Sequence, residues 1–417
     1  MHRKPGGRRK HNDVLDDFLR TQDLNTLTLA NGGDKKQVWE IRKMRGKLLC
    51  GFCSSVHWGK RAKTPQECFV CKGVCERLDA LVKDALEKAK GFEWETFAVS
   101  SSLPREALAR EEDLWDWCQP QKCMCIKNAL NRDAAAAIAK KSGNRMDAKN
   151  PQALFSIDFL KGKGDAMPAP MYLFGHYTKH ARDIAQSRWE CSKCKGRGCD
   201  RCAGSGKMYS SVEDEMRAAA KETFLAKDAL LHASGREDVD VRMLGEGRPF
   251  VLEVQEPKKK GGIGEFEKSV NKGGKVGVHG VRSAQKSAIE LVCTSHFEKE
   301  YDAHVEMQRQ PTQEDVGKIK EMFAGKFVLL AQQTPMRVLH RRSDLERKRK
   351  VFLLDVKVEG QFIRLKIRTD AGTYVKEFVS SDGGRTVPSI AGVLGCAAVC
   401  RQLDVINICD EFLNTAI

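Results

Sequence analysis

A chain of 417 residues is more than one hydrophobic core usually serves, and at roughly 150 residues per domain it implies two or three domains. The composition is 41% hydrophobic and 31% charged, which excludes a disordered chain, and 72 Lys and Arg against 56 Asp and Glu leave a net charge of +16 that favours a polyanionic partner. No apolar run approaches the ~20 residues of a spanning helix, and no apolar stretch follows the basic start MHRKPGGRRKHND, so neither a helical membrane protein nor a signal peptide is expected.

Residues 1–46 read as a basic, flexible arm that passes into a weak helix around Val38–Arg45. In 47–190 the spacing predicts an α+β module. Leu78, Leu81, Val82, Ala85 and Leu86 recur on a 3.6-residue period over Glu76–Lys90, a helix that Gly91 ends. A strand over Phe92–Val99, helices over Pro104–Trp117 and Asn131–Lys141, and short strands at Leu154–Leu160 and Met171–Phe174 follow. The last two strands flank the Gly/Pro stretch KGKGDAMPAP, read as a loop. After a cysteine knuckle at 191–204, Ser211 with Asp214 three residues on forms a capping-box pattern, and its helix is expected to run to about Leu231. Residues 205–417 then read mainly as strands: Val239–Met243, Phe250–Val254, Ala288–Thr294, Phe327–Ala331, Val351–Val358 and Phe362–Arg368, with a hairpin turn at 356–361. Helices interrupt at Glu314–Phe323 and Thr373–Ser380. The fold class is therefore α+β: an N-terminal zinc-bearing module, then a large mixed, mainly antiparallel sheet.

Eight of the sixteen cysteines fall in four CxxC pairs, which in a large lysine-rich chain points to zinc thiolates rather than disulfides. Cys191, Cys194, Cys199 and Cys202 enclose a spacer with two glycines that can fold back to complete a tetrahedral site. Cys50, Cys53, Cys68 and Cys71 can form a second set across a longer loop, with Cys75, Cys118, Cys123 and Cys125 as substitute ligands. Four protein ligands leave no open position for water, so both zinc sites are structural. The string CSKCKGRGCDRCAGSGK also resembles, locally, the zinc repeats of Hsp40-type chaperones, although only one full unit is present.

Chemistry is expected in the second half. Gly235–Gly245 packs three carboxylates and two arginines; in a strand Asp238, Asp240 and Arg242 would share one face, with a charged edge strand as the bland alternative. Tyr301 follows directly on the strand expected at 288–294, and a Gly-Thr turn after the strand at 362–368 leads into a helix start carrying Tyr374 and Lys376. Lys258, Lys259 and Lys260 open a flexible loop to Lys275, while Arg337, His340, Arg341 and Arg342 lie in a segment rich in fork-like phosphate donors; Arg236 is a further candidate for RNA contact.

The segments GREDVDVRMLGEGRPFVLEVQEP, EKEYDAHV, QQTPMRVLHRRSD and TDAGTYVKEFVSSDGGRTVPSIAGVLG together resemble the archaeal and eukaryotic tRNA pseudouridine synthases of the T-loop. That resemblance implies a THUMP-type, zinc-containing RNA-binding domain at 47–190 and a catalytic domain at 205–417, with uridine 55, and often 54, as the target. It also implies Asp238 as catalytic aspartate, Tyr301 as the tyrosine that packs on the base, and Lys376 as the basic residue beside the aspartate. Substrate and product are isomers, so no organic cofactor is expected. The expected partner is tRNA, with no membrane and no obligate protein partner, in the cytoplasm or also the nucleus of a eukaryote. Two other readings compete: a noncatalytic RNA-binding or tRNA-folding protein on the same scaffold, and a zinc-dependent chaperone suggested by the knuckle alone.

Overall fold

The computed structural model describes residues 46–57, 59–118 and 124–417, so the basic arm, the helix expected at Val38–Arg45 and Cys123 lie outside the described residues, as does the side chain of Cys118. The described residues form two compact units, divided between Met167 and Pro168.

In the first unit, β1 (Leu48–Leu49) and β2 (Lys60–Arg61) pair in parallel around the first cysteine pair. The apolar period expected at 76–90 folds as the helix Leu78–Ala89, burying Leu81, Val82, Ala85 and Ala89. A four-stranded sheet runs β4 (Arg145–Met146), β3 (Thr96–Ser102), β5 (Ala153–Asp158), β6 (Lys163–Pro168). The helices Arg105–Cys118 and Ile126–Ser142 accompany it, the second closed by Gly143 in a left-handed conformation. KGKGDAMPAP therefore contains strand β6 rather than a loop. Its Gly164 is there for packing: a Cβ would sit 1.9 Å from the Leu81 carbonyl oxygen.

In the second unit, among the described residues, one ten-stranded sheet has the order β12–β7–β11–β18–β13–β16–β15–β14–β17, with β10 pairing to β11. Its strands are β7 (Met171–Lys179), β10 (Asp228–Ala233), β11 (Arg242–Gln255), β12 (Val276–Ala284), β13 (Lys299–Met307), β14 (Phe327–Gln333), β15 (Glu346–Glu359), β16 (Phe362–Thr369), β17 (Thr386–Val387) and β18 (Ala398–Ile408). A two-stranded ribbon, β8 (Trp189–Glu190) and β9 (Lys207–Tyr209), closes the knuckle. β11 serves two neighbourhoods: Arg242 and Met243 pair in parallel with β18, whereas Arg248–Val254 pair with β7. The core is continuous, from Phe174 and Phe250 to Ile367 and Val405.

Several expectations need correction. Met171–Phe174, read with the N-terminal module, begins β7 and pairs with β11 and β12. The helix at Ser211 ends at Thr223, because Ala229, Leu230 and Leu231 then alternate inward and outward as β10. The supposed strand Ala288–Thr294 is the helix Ser287–Thr294, with Ala288 and Val292 buried one turn apart. The lysine-rich stretch 258–275 is not a flexible loop: it holds the helix Ile263–Asn271, which buries Phe266 and Val270. β18, absent from the sequence reading, is an interior strand.

Candidate active site

The segment expected as a strand at 239–243 is a loop until Arg242, and this decides the site. Gly235 sits at φ +79, and the Val241 amide donates to the Asp238 carbonyl at 3.1 Å, forming a tight turn. Asp238 and Asp240 thus converge by turn geometry and not by strand alternation. The turn is held from within by Lys179, fully buried at the end of β7. Its ammonium donates to the carbonyls of Ile184, Asp238 and Val239, each at 3.0 Å. Burial draws its pKa below the ordinary lysine value.

Behind the turn lies a second buried cluster. Arg248 donates through Nε to Glu237 at 2.9 Å and through Nη1 to the Ser234 carbonyl at 2.7 Å. The Tyr177 hydroxyl donates to Glu237 at 3.0 Å, and Gln186 donates to both that hydroxyl and the Gly235 carbonyl at 2.8 Å. Residues on either side of Asp238 are therefore locked to β7 and β11, a rigid mount for its carboxylate.

Asp238 itself stays 41% exposed along its side chain and faces two cations: Arg337 Nη1 at 3.1 Å and Lys376 Nζ at 3.5 Å. Lys376 is more closely engaged with Asp240, at 2.8 Å to both oxygens. Burial opposes it, yet that ammonium keeps the Asp240 carboxyl below the usual range. Arg337 is oriented by the buried Glu377, which accepts from its Nε at 2.6 Å. Lys376 and Glu377 open the helix Val375–Ser380, whose first residues are clamped by Gln332: its amide donates to the Tyr374 carbonyl and accepts from the Tyr374 amide, both at 3.0 Å.

Tyr301 stands in β13, not after a strand as the sequence reading had it. Met243, Val405 and Tyr301 are in register across β11, β18 and β13, so two strand spacings, about 10 Å, separate Tyr301 from the start of β11. Burial raises its phenol to about 12, with Arg248 lowering and Glu237 raising it in opposition. The tyrosine thus shares the Arg248–Glu237 field with the aspartate loop.

The remaining expected contacts divide. Arg337 belongs to the aspartate site itself. Exposed Arg342 donates to the Tyr374 hydroxyl at 3.0 Å, and His340 is exposed on the same segment; the side chain of Arg341 lies outside the described residues. The Arg236 guanidinium lies over the Trp189 ring at 5.8 Å. Lys258 and Lys259 are fixed through their backbone amides to the Phe224 carbonyl, and Lys260 donates to the Ala169 carbonyl at 3.3 Å. Lys179, Glu237, Arg248, Gln186 and Gln332 escaped sequence reading. The signal that could have found them is a charged or amide residue inside an otherwise apolar strand, as at Lys179 and Arg248.

Both cysteine quartets are assembled, with all ligand sulfurs in each within 4.8 Å of one another. In the knuckle, Gly198 donates its amide to Cys194 Sγ, and Cys199 and Gly206 donate to Cys202 Sγ, all at 3.2 Å. Against the opposing effect of burial, those amides bring Cys202 down to about 6. Amide-to-sulfur bonds on paired thiolates suit a tetrahedral zinc, and the two quartets are structural zinc sites. Gly206 is obligatory here, since a Cβ would meet the Gly196 carbonyl oxygen at 2.4 Å.

Residues 172–409 match the family model "Pus10, C-terminal", and residues 81–158 match "Pus10 THUMP domain, archaeal". The tRNA pseudouridine synthase Pus10 of Methanothrix thermoacetophila is 37% identical over 352 residues, covering 82% of this chain and 77% of that protein. That of Pyrococcus furiosus is 34% identical over 361 residues, covering 86% and 88%. Among solved structures, a Cbf5–Nop10–Gar1 complex matches 46% of this chain and 43% of that chain at 15% identity, with a TM-score of 0.28.

Proposed function

The chain belongs to the Pus10 family of tRNA pseudouridine synthases, and from that membership we propose that it isomerises uridine to pseudouridine in the tRNA T-loop, at position 55 and also at 54. We assign the chemistry to Asp238, with Tyr301, Lys376 and Arg337 around it. The observation that carries this reading is a half-exposed carboxylate on a turn mounted by a buried ammonium, facing two cations at 3.1 and 3.5 Å. A protein that only gripped RNA would have no use for an accessible carboxylate facing a polyanion.

Isomerisation breaks the N1–C1′ bond, turns the base, and rejoins it through C5. An aspartate acts on the nucleotide through its carboxylate, and Arg337 and Lys376 stand beside that of Asp238 at 3.1 and 3.5 Å. Asp240 takes up most of the Lys376 charge, so Arg337 is the closer counter-ion of Asp238. The base must leave its stack to reach the carboxylate, at a cost of a few kcal/mol that RNA contacts offset. Tyr301 supplies a flat ring to hold the detached uracil. Arg342, Tyr374 and the exposed basic residues around them supply phosphate contacts.

The test is incubation of the purified protein with unmodified tRNA, followed by chemical mapping of pseudouridine. Pseudouridine at 55 is expected, together with its loss in Asp238→Asn while tRNA binding persists. Absence of pseudouridine with the wild-type protein, or more than a few per cent of its rate in Asp238→Asn, overturns the assignment.

A further inference from the structure

The zinc knuckle carries an exposed feature that neither its metal nor the aspartate chemistry uses. Trp189 and Tyr209 are cross-strand partners on the β8–β9 ribbon, their rings 5.5 Å apart at 52°, and each keeps 39% of its surface exposed. Large aromatic rings normally bury their faces, and an exposed pair forfeits that stabilisation unless a ligand recovers it. The Arg236 guanidinium approaches the Trp189 ring at 5.8 Å. Arg236 is itself part of the aspartate loop, two residues before Asp238, a span of at most ~7 Å of chain. That is about the reach from one nucleotide to the next.

The ribbon is held in place. The Arg188 amide donates to Glu213 at 2.9 Å, Lys207 pairs with Asp214 at 2.5 Å, and Ala185 bridges to Ser211 at the helix start. Around the rings the charge is one-sided. Over residues 188–209 six basic residues face two acidic ones, a surplus that exceeds the two negative charges of a zinc tetrathiolate. Lys193, Lys195, Arg197 and Arg201 are all exposed. An aromatic pair with a flanking guanidinium and a cationic surround matches one ligand chemistry, an unstacked nucleobase with its phosphate.

We propose that Trp189 and Tyr209 form a stacking platform for a T-loop base flanking the target uridine, with Arg236 and the knuckle cations taking its phosphate. The proposal rests on the pseudouridine synthase reading. The zinc then has a definite consequence for recognition: it fixes the ribbon that presents the rings. The flanking base, parked on the knuckle, keeps the loop open while the uridine occupies the aspartate site.

The experiment is a cycle between protein and RNA. Full-length protein carrying Asp238→Asn, to prevent turnover, is titrated with unmodified tRNA in which each T-loop base in turn is replaced by an abasic ribose. At one position beside the target, removing the base should weaken Kd by roughly 5- to 100-fold, the worth of one stacked base. That loss should shrink to about twofold in Trp189→Ala and Tyr209→Ala and persist in Trp189→Phe. Arg236→Ala should lower the slope of log Kd against log salt by about one, whereas Trp189→Ala should leave the slope unchanged. Zinc content of the variants reports whether the knuckle stays folded. If the ring variants shed zinc, Arg236→Ala, which lies outside the knuckle, decides through its salt slope together with the abasic scan on the wild-type rings. No position at which abasic loss and ring loss are coupled, or no abasic effect beside the target, overturns the platform. Protein with an intact Asp238, run in parallel on unmodified tRNA, separates the two failures. Pseudouridine formed without coupling rejects the platform alone, and no pseudouridine rejects the reading beneath it.

Discussion

Replacing Arg337 with Met separates what this residue does for the fold from what it does for Asp238. Its guanidinium is 3.1 Å from Asp238 and 2.6 Å from Glu377. At an effective dielectric of 20 the first contact is worth ~5 kcal/mol of bare Coulomb energy. Both side chains are about two-fifths exposed, so solvent screening leaves ~1 kcal/mol of stability. The second contact weighs more. Glu377 is 7% exposed along its side chain, and its other oxygen, Oε2, has no hydrogen-bond partner. Arg337→Met leaves a buried carboxylate without its cation, a loss of 3–5 kcal/mol for a fully buried pair and about 2 kcal/mol here, because the arginine end reaches solvent.

Adding Glu377→Gln removes the orphaned charge while nearly preserving shape. The double variant should therefore recover at least half of the lost stability in urea denaturation. Activity should not recover, because the nearest counter-ion of Asp238 is still missing; a 10- to 100-fold loss in single-turnover pseudouridine formation is expected in both variants. If the double variant is as unstable as Arg337→Met alone, Glu377 is not what Arg337 satisfies. If the double variant regains the wild-type rate, Arg337 is no part of the aspartate's electrostatics.

Lys179→Met should cost about 2–4 kcal/mol by leaving the Ile184 and Val239 carbonyls without their donor and the Asp238 carbonyl with the Val241 amide alone, and should lower turnover more than tRNA affinity; unchanged stability would show that the turn does not need its ammonium. The Tyr301 phenol, raised to about 12, stays protonated up to pH 10, so the wild-type rate should show no tyrosine limb between pH 8 and 10. A limb in that range that vanishes in Tyr301→Phe would contradict this, and Tyr301→Ala should be far slower than Tyr301→Phe if the ring stacks on the base. Cys202→Ser should release one of two zinc ions and make the knuckle lysines and arginines protease-sensitive, since the knuckle's own core is little more than its cysteines and Met208. Two zinc ions retained per chain would count against the knuckle ligand set.

The sequence was most legible where a pattern is local. CxxC spacing located both quartets, and the 3.6-residue period located Leu78–Ala89. Strands with β-branched residues, Phe327–Gln333 and Phe362–Thr369, appeared where composition put them. Legibility failed where tertiary contacts override local preference. Val239 and Val241 favour a strand, but Lys179, sixty residues upstream, takes the carbonyls that a neighbouring strand would need. Ala288–Thr294 is as β-like in composition as any true strand here, yet Ala288 and Val292 bury one helical turn apart. β18 was missed because VCRQLDV mixes charge into an interior strand, and those charges are paired: Asp404 accepts from Arg242 and lies in an ion pair with Arg182, and Arg401 meets Glu306.

Lys376 stands beside Asp238 at 3.5 Å, as the resemblance implies, but it shares its charge with a second carboxylate. A lysine beside a catalytic aspartate invites a simple ion pair, and sequence supplies Asp238 and Lys376 as the natural couple. The turn, however, presents Asp238 and Asp240 to one ammonium, and the 2.8 Å contacts go to Asp240. Were Lys376 bound closely to Asp238, a nucleotide would have to displace that contact before reaction. With Asp240 holding the lysine and Glu377 holding the arginine, both cations are anchored by carboxylates of their own. Asp238 is left polarised by positive charge yet open to solvent over two-fifths of its side chain. A preorganised field acts on the reacting group without reorganising during the reaction, which is where an active site gains most from fixed charges. The acidic triplet at 237–240 then divides by role: Glu237 is structural through Arg248, Asp240 is a counterweight to Lys376, and Asp238, to which we assign the chemistry, has no closer partner than Arg337.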